Sequence, residues 1–395
     1  MGTLKQIFTV TLLSLRTVPQ RAGSSLVAVI GITGVVVVLV GVLSIAAGFQ
    51  KTLTSTGAPD RALLMRNGAT TEMVSGLTGE SVDTIKQAPG IARPNQVALA
   101  SPSMVVVVDV NKRSTGTPAN VPVRGVDASA LAVRPEVHIV QGRMMNFGTN
   151  EAIVGKAASA EFAGLDLGAT LTSGHLTRQI VGIFEANGSL SETEIWTDVH
   201  GLQQVYQRGN TYQSVLVRLD SPASFEGFKA WLTTNPQLEL QVQRESEYYA
   251  AQSQQLTMIV QVIGFGIATL MGFGATFGAI LTMYTAVVSR TREIATLRAI
   301  GFGSFAVVVS VLAESLTLAA GGGVVGALIA YVGFNGFQAA TMNWQSFSQV
   351  AFQFAVTPQL MALGLIFALT MGLIGGLPPA VRAALLPISS ALREL

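Results

Sequence analysis

Four long stretches of the chain are almost purely apolar: residues 24–47, 256–288, 304–336 and 358–381. Each reaches or exceeds the roughly 20 residues that a helix needs to cross a hydrocarbon layer about 30 Å thick. In lipid the backbone must satisfy its own hydrogen bonds, so each stretch is read as a spanning helix, even the Val- and Gly-rich "SLVAVIGITGVVVVLVGVLSIAAGF". This first span runs into "QKTLTST", and Gly57 and Pro59 end it. "SIAAGF" offers the small residues of a signal-peptide cleavage point, but the apolar run is longer than a signal-peptide core and is read as a retained span. No proline interrupts the chain from Arg244 to Ser289, and its polar start gives way to apolar residues without a turn signal. That pattern predicts one continuous helix, whose apolar part alone measures about 50 Å.

The pattern between residues 48 and 253 is different. "RALLMRNG", "MVVVVDV", "SVLVRLD" and "LELQVQR" read as strands, and "GESVDTIKQAPG" as a short helix stopped by Pro89 and Gly90. Ser221 and Pro222 read as the cap and first residue of a second helix, "PASFEGFKAWLTTN", which ends before Pro236. Two βαβ-like units therefore bracket this region. Between them "NVPVRGVD", "GRMMNFGTNEAIVGK", "GATLTSG", "RQIVGIFEANG" and "EIWTDV" predict a mostly β subdomain punctuated by glycines. About 200 residues suffice for a core of their own. The predicted class is an α-helical membrane protein with four spans and an α+β domain outside the lipid.

Charge gives the chain a direction. Residues 48–253 hold 16 Lys and Arg against 19 Asp and Glu, whereas the rest holds 8 against 3. Lys5, Arg16 and Arg21 precede the first span, Arg290, Arg292 and Arg298 crowd the 289–303 loop, and Arg382 and Arg393 follow the last span. Short basic loops stay in the cytoplasm, while a long segment such as 48–253 crosses largely regardless of charge. The expected order is a cytoplasmic amphipathic helix (1–23), a span (24–47), an extracytoplasmic domain with stalk ends (48–253) and a second span (256–288). A cytoplasmic helix (289–303), a third span (304–336), a short outer loop (337–357), a fourth span (358–381) and a cytoplasmic tail (382–395) complete it. The uncharged outer loop carries Trp344, Phe347, Phe352 and Phe354, which suits an interfacial aromatic belt. Small-residue pairs at Gly274 and Gly278, Gly322 and Gly326, and Gly372 and Gly376 are expected to allow close helix packing, within one subunit or between two.

Catalytic chemistry is sparse. There is no cysteine, hence no disulfide and no thiolate metal site. His138, His175 and His200 sit in unrelated segments without metal-site spacing and are read as ordinary surface or strand residues. "IVGKAAS" lacks the upstream glycine and the following hydroxyl of a phosphate-binding loop, so no ATP hydrolysis is expected of this chain. Neither a catalytic residue nor a bound metal or cofactor is predicted, and no nucleic-acid partner. Glu314 is the one acidic residue inside a span, a functional candidate because burying it ionised is costly. Its candidate partners are Ser310, Thr317 or loop arginines.

The loop "SRTREIATLRAIG" places Ile294, Leu297 and Ile300 at helical spacing with Arg292, Glu293 and Arg298 around them, a short amphipathic helix. Pattern alone leaves open a solvated turn with basic anchors or a docking surface. The longer run "SRTREIATLRAIGFGSFAVVVSVLAES" closely resembles the segment between the second and third spans of FtsX/MacB-like ABC-transporter permeases. The resemblance extends to "LLSLRTVPQRAGSSLVAVIGI", "GRMMNFGTNEAIVGKAASAEF" and "PPAVRAALLPISSALREL", and is loosest in the middle of the outer domain. It implies a dimeric permease subunit in a bacterial inner (plasma) membrane, with a coupling helix formed by Arg290, Arg292, Glu293, Leu297, Arg298, Ala299, Ile300 and Gly301. That helix would sit on a separate ATP-binding subunit that holds ATP and Mg²⁺. It also implies a MacB-like periplasmic core domain, a periplasmic adaptor protein and an outer-membrane channel. The chain differs from MacB in lacking a fused ATPase domain and from FtsX in its larger outer domain. Efflux, lipoprotein extraction, and regulation of an outer partner without transport all stay open.

Overall fold

The computed structural model describes residues 6–12, 22–235, 238–343 and 348–385; Lys5, Arg16, Arg21, Pro236, Trp344, Phe347 and Arg393 lie outside them. The chain divides into a helical unit (1–47, 258–337 and 354–395) and an α/β unit (48–257 and 338–353). Residues 6–12 form helix α1, and α2 (Ala22–Thr56) follows. The latter stops just before Gly57, as expected.

The α/β unit opens with β1 (Arg61–Arg66), β2 (Leu77–Thr78), α3 (Gly79–Lys86), β3 (Ala100–Asn111), β4 (Pro118–Val126), α4 (Ala130–Val133), β5 (His138–Gly142) and β6 (Glu151–Gly155). It continues with α5 (Lys156–Glu161), β7 (Thr170–Ser173), β8 (Leu176–Glu185), β9 (Ile195–Asp198), α6 (Val199–Val205), β10 (Thr211–Tyr212), β11 (Ser214–Arg218), α7 (Phe225–Thr234) and β12 (Leu240–Arg244). Ten strands form one sheet in the order β12-β1-β11-β3-β4-β9-β6-β8-β5, with β7 on β8. The predicted βαβ units β1-α3-β3 and β11-α7-β12 are present but interleaved: β11 lies between β1 and β3, and β1 lies between β11 and β12, all pairs antiparallel. Such a split arrangement lets α3 and α7 share one core. Val82 and Ile85 of α3 and Phe225, Phe228 and Leu232 of α7 pack with Leu64, Val215, Val217 and Val242. Thr78 accepts the Ser81 amide at 3.2 Å and caps α3. Ser221 does not cap α7 directly. It precedes a 3₁₀ turn, Pro222–Ser224, and its hydroxyl meets that of Ser224 at 3.1 Å. The β-rich part has its own cluster, in which Phe184 and Trp196 lie 4.9 Å apart beside Ile153 and Val126.

Helix α8 (Glu245–Ser289) is unbroken over 45 residues, about 68 Å at 1.5 Å per residue. It is followed by α9 (Thr291–Ala299), α10 (Ser304–Phe334), β13 (Gln338–Asn343), β14 (Ser348–Gln353) and α11 (Pro358–Leu385). Four helices, Ser25–Thr56, Glu245–Ser289, Ser304–Phe334 and Pro358–Leu385, are long and apolar enough to span a membrane. Four of the six singled-out glycines do pack. A Cβ on Gly322 or Gly326 would lie 3.0 and 2.9 Å from the Val29 and Thr33 carbonyls, and one on Gly372 or Gly376 would lie 2.4 and 2.6 Å from the Cβ atoms of Ala319 and Ser315. Gly274 and Gly278 do not: nothing lies within 4 Å of their Cβ positions. The outer loop also departs from expectation. Strands β13 and β14 pair antiparallel and belong to the α/β unit. Phe352 is buried there with its ring edge-on to Phe49 at 5.7 Å, and Phe354 packs on Phe334 and Phe337. An uncharged aromatic segment finds apolar partners in protein as readily as in lipid.

Candidate functional site

Helix α9 is built as a short bracket between two spans. Arg290 occupies its N-cap position, Glu293 stands in the first turn and Arg298 in the last, the arrangement that complements the helix dipole. Ile294 and Ala295 are buried, with Ile294 packed on Met283, Val287, Val307 and Val311. Leu297 and Arg298 are half-buried, whereas Arg292, Glu293, Thr296, Ala299 and Ile300 are exposed, Ile300 by 72%. The predicted apolar stripe is therefore divided, with Ile294 facing the chain's own core and Ile300 facing away. Gly301 has φ +102°; its amide donates to the Arg298 carbonyl and that of Phe302 to Leu297, both at 3.1 Å. This is a Schellman termination, which needs the left-handed residue that glycine supplies.

Glu314 meets one of its predicted loop arginines. Arg290 Nη1 donates to Glu314 Oε2 at 2.9 Å, and both side chains are nearly buried. The hydroxyl candidates turn elsewhere: Ser310 donates to the Val10 carbonyl and Thr317 to that of Ala313. Arg290 thus faces inward, tying the turn after α8 to α10, rather than presenting itself on the α9 surface with Arg292.

Two ionic clusters in the α/β unit had no counterpart in the sequence reading. In the first, Glu245, the first residue of α8, is fully buried between Arg61 Nε at 2.5 Å and Arg134 Nη2 at 3.7 Å. Its Oε2 also accepts the Ala58 amide at 3.3 Å. Arg61 in turn donates to Glu136 at 2.5 Å and to the Thr56 carbonyl, the last residue of α2, at 3.0 Å. Arg134 lies 5.7 Å from the Trp196 ring centre. Two cations and two anions close the set without net charge, and they join the end of α2 to the start of α8. Burial alone would lower the Arg61 pKa, but Glu245 and Glu136 outweigh it and the net shift is upward. Gly57 allows the approach, since a Cβ there would fall 2.3 Å from the Ser246 Cα.

In the second, Arg124 is gripped by two carboxylates in paired hydrogen bonds, Glu194 at 2.7 and 2.8 Å and Glu72 at 2.9 and 3.0 Å. Trp196 Nε1 donates to Glu194 at 2.7 Å and Ser214 Oγ to Glu72 at 2.5 Å. The Glu72 amide donates to the hydroxyl of Tyr248 in α8 at 3.2 Å. Burial pushes the Glu72 pKa up, yet Arg124 and the Ser214 hydroxyl prevail and hold it at about 2. The available signal was an Arg set singly within an otherwise apolar strand, as in "NVPVRGV".

Two family models match the chain: the MacB-like periplasmic core domain over residues 25–235 and the FtsX-like permease C-terminal over residues 265–388. No curated protein matches. Among solved structures, the extracellular domain of the noncanonic ABC-type transporter YknZ from Gram-positive bacteria is 16% identical, with TM-score 0.36, covering 46% of this chain and 99% of its own. The periplasmic region of MacB from Actinobacillus actinomycetemcomitans is 12% identical, with TM-score 0.38, covering 50% and 94%. Likeness this low adds no weight to the family models. The family implies a membrane setting and an ABC ATPase partner. With a core-domain match over more than half its length, a permease match over residues 265–388 and four helices long and apolar enough to span a membrane among the described residues, the chain belongs to the FtsX/MacB-like family of ABC-transporter permeases.

Proposed function

We propose that this chain is the membrane subunit of an ABC exporter, passing ATP-driven motion of a separate cytoplasmic ATP-binding subunit to the α/β unit. The observation that carries the reading is α9, anchored through Ile294 and Ala295 while Arg292, Glu293, Ala299 and Ile300 stay exposed. An exposed isoleucine among charges on a helix between two spans suits a docking partner. ATP and Mg²⁺ reside in that partner. The basic 289–303 loop supports a cytoplasmic α9, and membership of β13–β14 in the α/β unit supports an outer location for residues 338–353 along with 48–253. Both termini are then cytoplasmic, in a bacterial inner membrane. The length of α8 supports transmission of motion along one helix. A second copy docks on the α8 face where Gly274 and Gly278 are open to close approach. In a diderm host, a periplasmic adaptor and an outer-membrane channel complete the export route.

The test is joint substitution of Arg292, Glu293 and Arg298 by Ala. Copurification of the ATP-binding subunit should fall by about tenfold or more, the scale of lost hot-spot contacts, while membrane insertion persists. Undiminished complex formation would overturn the assignment. Recovery of lipidated protein crosslinked to the α/β unit would redirect the reading from efflux to lipoprotein extraction.

A further inference from the structure

A cavity of about 400 Å³ lies within the helical unit, between the end of α8, α9 and the start of α10. Its walls are mainly apolar, from Met283, Val287, Ile294, Val307 and Val311. The deep polar groups are already engaged: Glu314 with Arg290 at 2.9 Å, and Ser310 with the Val10 carbonyl at 3.3 Å. Of the lining residues only Glu293 and Thr296, both on α9, are exposed, so the mouth opens there. Apolar walls of this extent are covered more favourably by hydrocarbon than by water. Volume, apolar lining and a polar mouth between bundled helices are the attributes of a ligand pocket.

We infer that this cavity binds one acyl chain of a membrane phospholipid, with the headgroup at the α9 rim beside Glu293 and Thr296. The bilayer is the source because the cavity lies between the adjoining ends of two spanning helices, where chains are at hand. The chain fills the space beneath α9 and holds Ile294 and Leu297 against α10. This does not depend on ATPase docking, and the test uses the purified full chain alone.

The protein is reconstituted with a phospholipid bearing a diazirine midway along one acyl chain, irradiated, and mapped by peptide mass spectrometry. Labelling at Met283, Val307 and Val311 should exceed that at Leu270 and Leu281, which are 74% and 68% exposed on α8 and report bulk lipid. The filling substitutions Val311→Phe and Ala286→Phe, made separately, should each reduce the cavity label several-fold and leave the α8 label unchanged. Unlabelled lysophospholipid should compete for the cavity label in the unmodified protein, a readout that needs no variant to fold. Cavity labelling no greater than that of Leu270 and Leu281, or insensitive to both filling and competition, would overturn the inference. Labelling by a free diazirine fatty acid but not by the phospholipid would also overturn it, making the occupant a free amphiphile.

Discussion

Replacing Glu245 by Ala removes the one anion that, among the described residues, Arg61 and Arg134 share. The carboxylate is fully buried, and the side chains of both arginines are 4% exposed. After the substitution Arg61 keeps Glu136, whereas Arg134 keeps chiefly its contact with Trp196. Breaking a buried pair from one side costs about 3–5 kcal/mol, because the surviving charge stays desolvated. Against a domain stability of about 5–15 kcal/mol, that is about a fifth of the whole or more. For a unit of this size it corresponds to a fall of about 10 °C in Tm. Trp196 is the natural reporter, so unfolding is followed by its fluorescence in detergent, in a background where Trp231 and Trp344 are Phe.

Three variants separate the causes. Glu245→Ala should show the full loss. Glu245→Gln should show less, since an amide oxygen still accepts the Ala58 amide that now lies 3.3 Å from Oε2. The joint change Arg134→Leu with Glu245→Leu should recover much of the loss, since it removes the cation that would otherwise stay buried without an anion while Arg61 keeps Glu136. Arg134 Nη2 and Glu245 lie 3.7 Å apart, beyond a hydrogen bond, so their attraction is charge against charge and the joint replacement forfeits little directional bonding. A loss below about 1 kcal/mol for Glu245→Ala, the scale of an exposed pair, would refute the claim that this cluster is desolvated and structural.

Further outcomes follow from the same geometry. Glu72, with its pKa lowered to about 2 from 4.5, stabilises the fold fully above pH 4.5, and its contribution of about 3 kcal/mol is lost as pH falls from there toward 2. Acid titration of the unmodified chain and of Glu72→Gln should therefore differ fully above pH 4.5 and converge only as pH falls to about 2 and below. Gly372→Ala puts a Cβ 2.4 Å from that of Ala319 and should destabilise the helical unit by about 1–3 kcal/mol in a detergent unfolding series. Gly274→Ala meets nothing within 4 Å and should change unfolding by no more than about 0.5 kcal/mol, while weakening self-association measured by crosslinking.

What the sequence disclosed and what it withheld follow the range of the interactions. The spans, the unbroken α8 and the strands β1, β3, β11 and β12 were legible, because apolar runs and alternation are local patterns. Interleaving of the two βαβ units was not, because which strand lies between β1 and β3 is decided by a partner more than a hundred residues away. The pairing of β13 with β14 was hidden for a similar reason: Val350 and Phe352 acquire their inward face only from the α/β unit. Of the α9 surface, the sequence supplied the residues and their helical spacing but not their division. Ile294 and Ile300 look equivalent until α8 and α10 cover one of them. The ionic clusters were the least visible, since Arg61, Arg134, Glu136 and Glu245 are scattered over most of the α/β unit and look like ordinary surface charges.

The two ends of α8 carry the same device with opposite polarity. Glu245 is its first residue and Arg290 follows its last, so an anion sits at the positive end of the helix dipole and a cation at the negative end. Each is buried in its own unit against opposite charge, Glu245 on Arg61 and Arg134, Arg290 on Glu314. Buried pairs are weak sources of stability compared with apolar residues of similar size, and their best-attested use is to fix register. A residue shift at either end would turn its charge by about 100° and leave a desolvated ion facing apolar side chains. On this argument each pair holds the rotation of α8 about its axis within its own unit, as the proposed transmission of motion would require. Joint replacement of Arg290 by Met and Glu314 by Leu separates register from stability. Unfolding should change by less than about 1.5 kcal/mol, the range for volume-conserving swaps, while stimulation of the partner ATPase by this chain falls several-fold. If stimulation survives intact alongside stability, the pair only neutralises charge and the register argument is wrong.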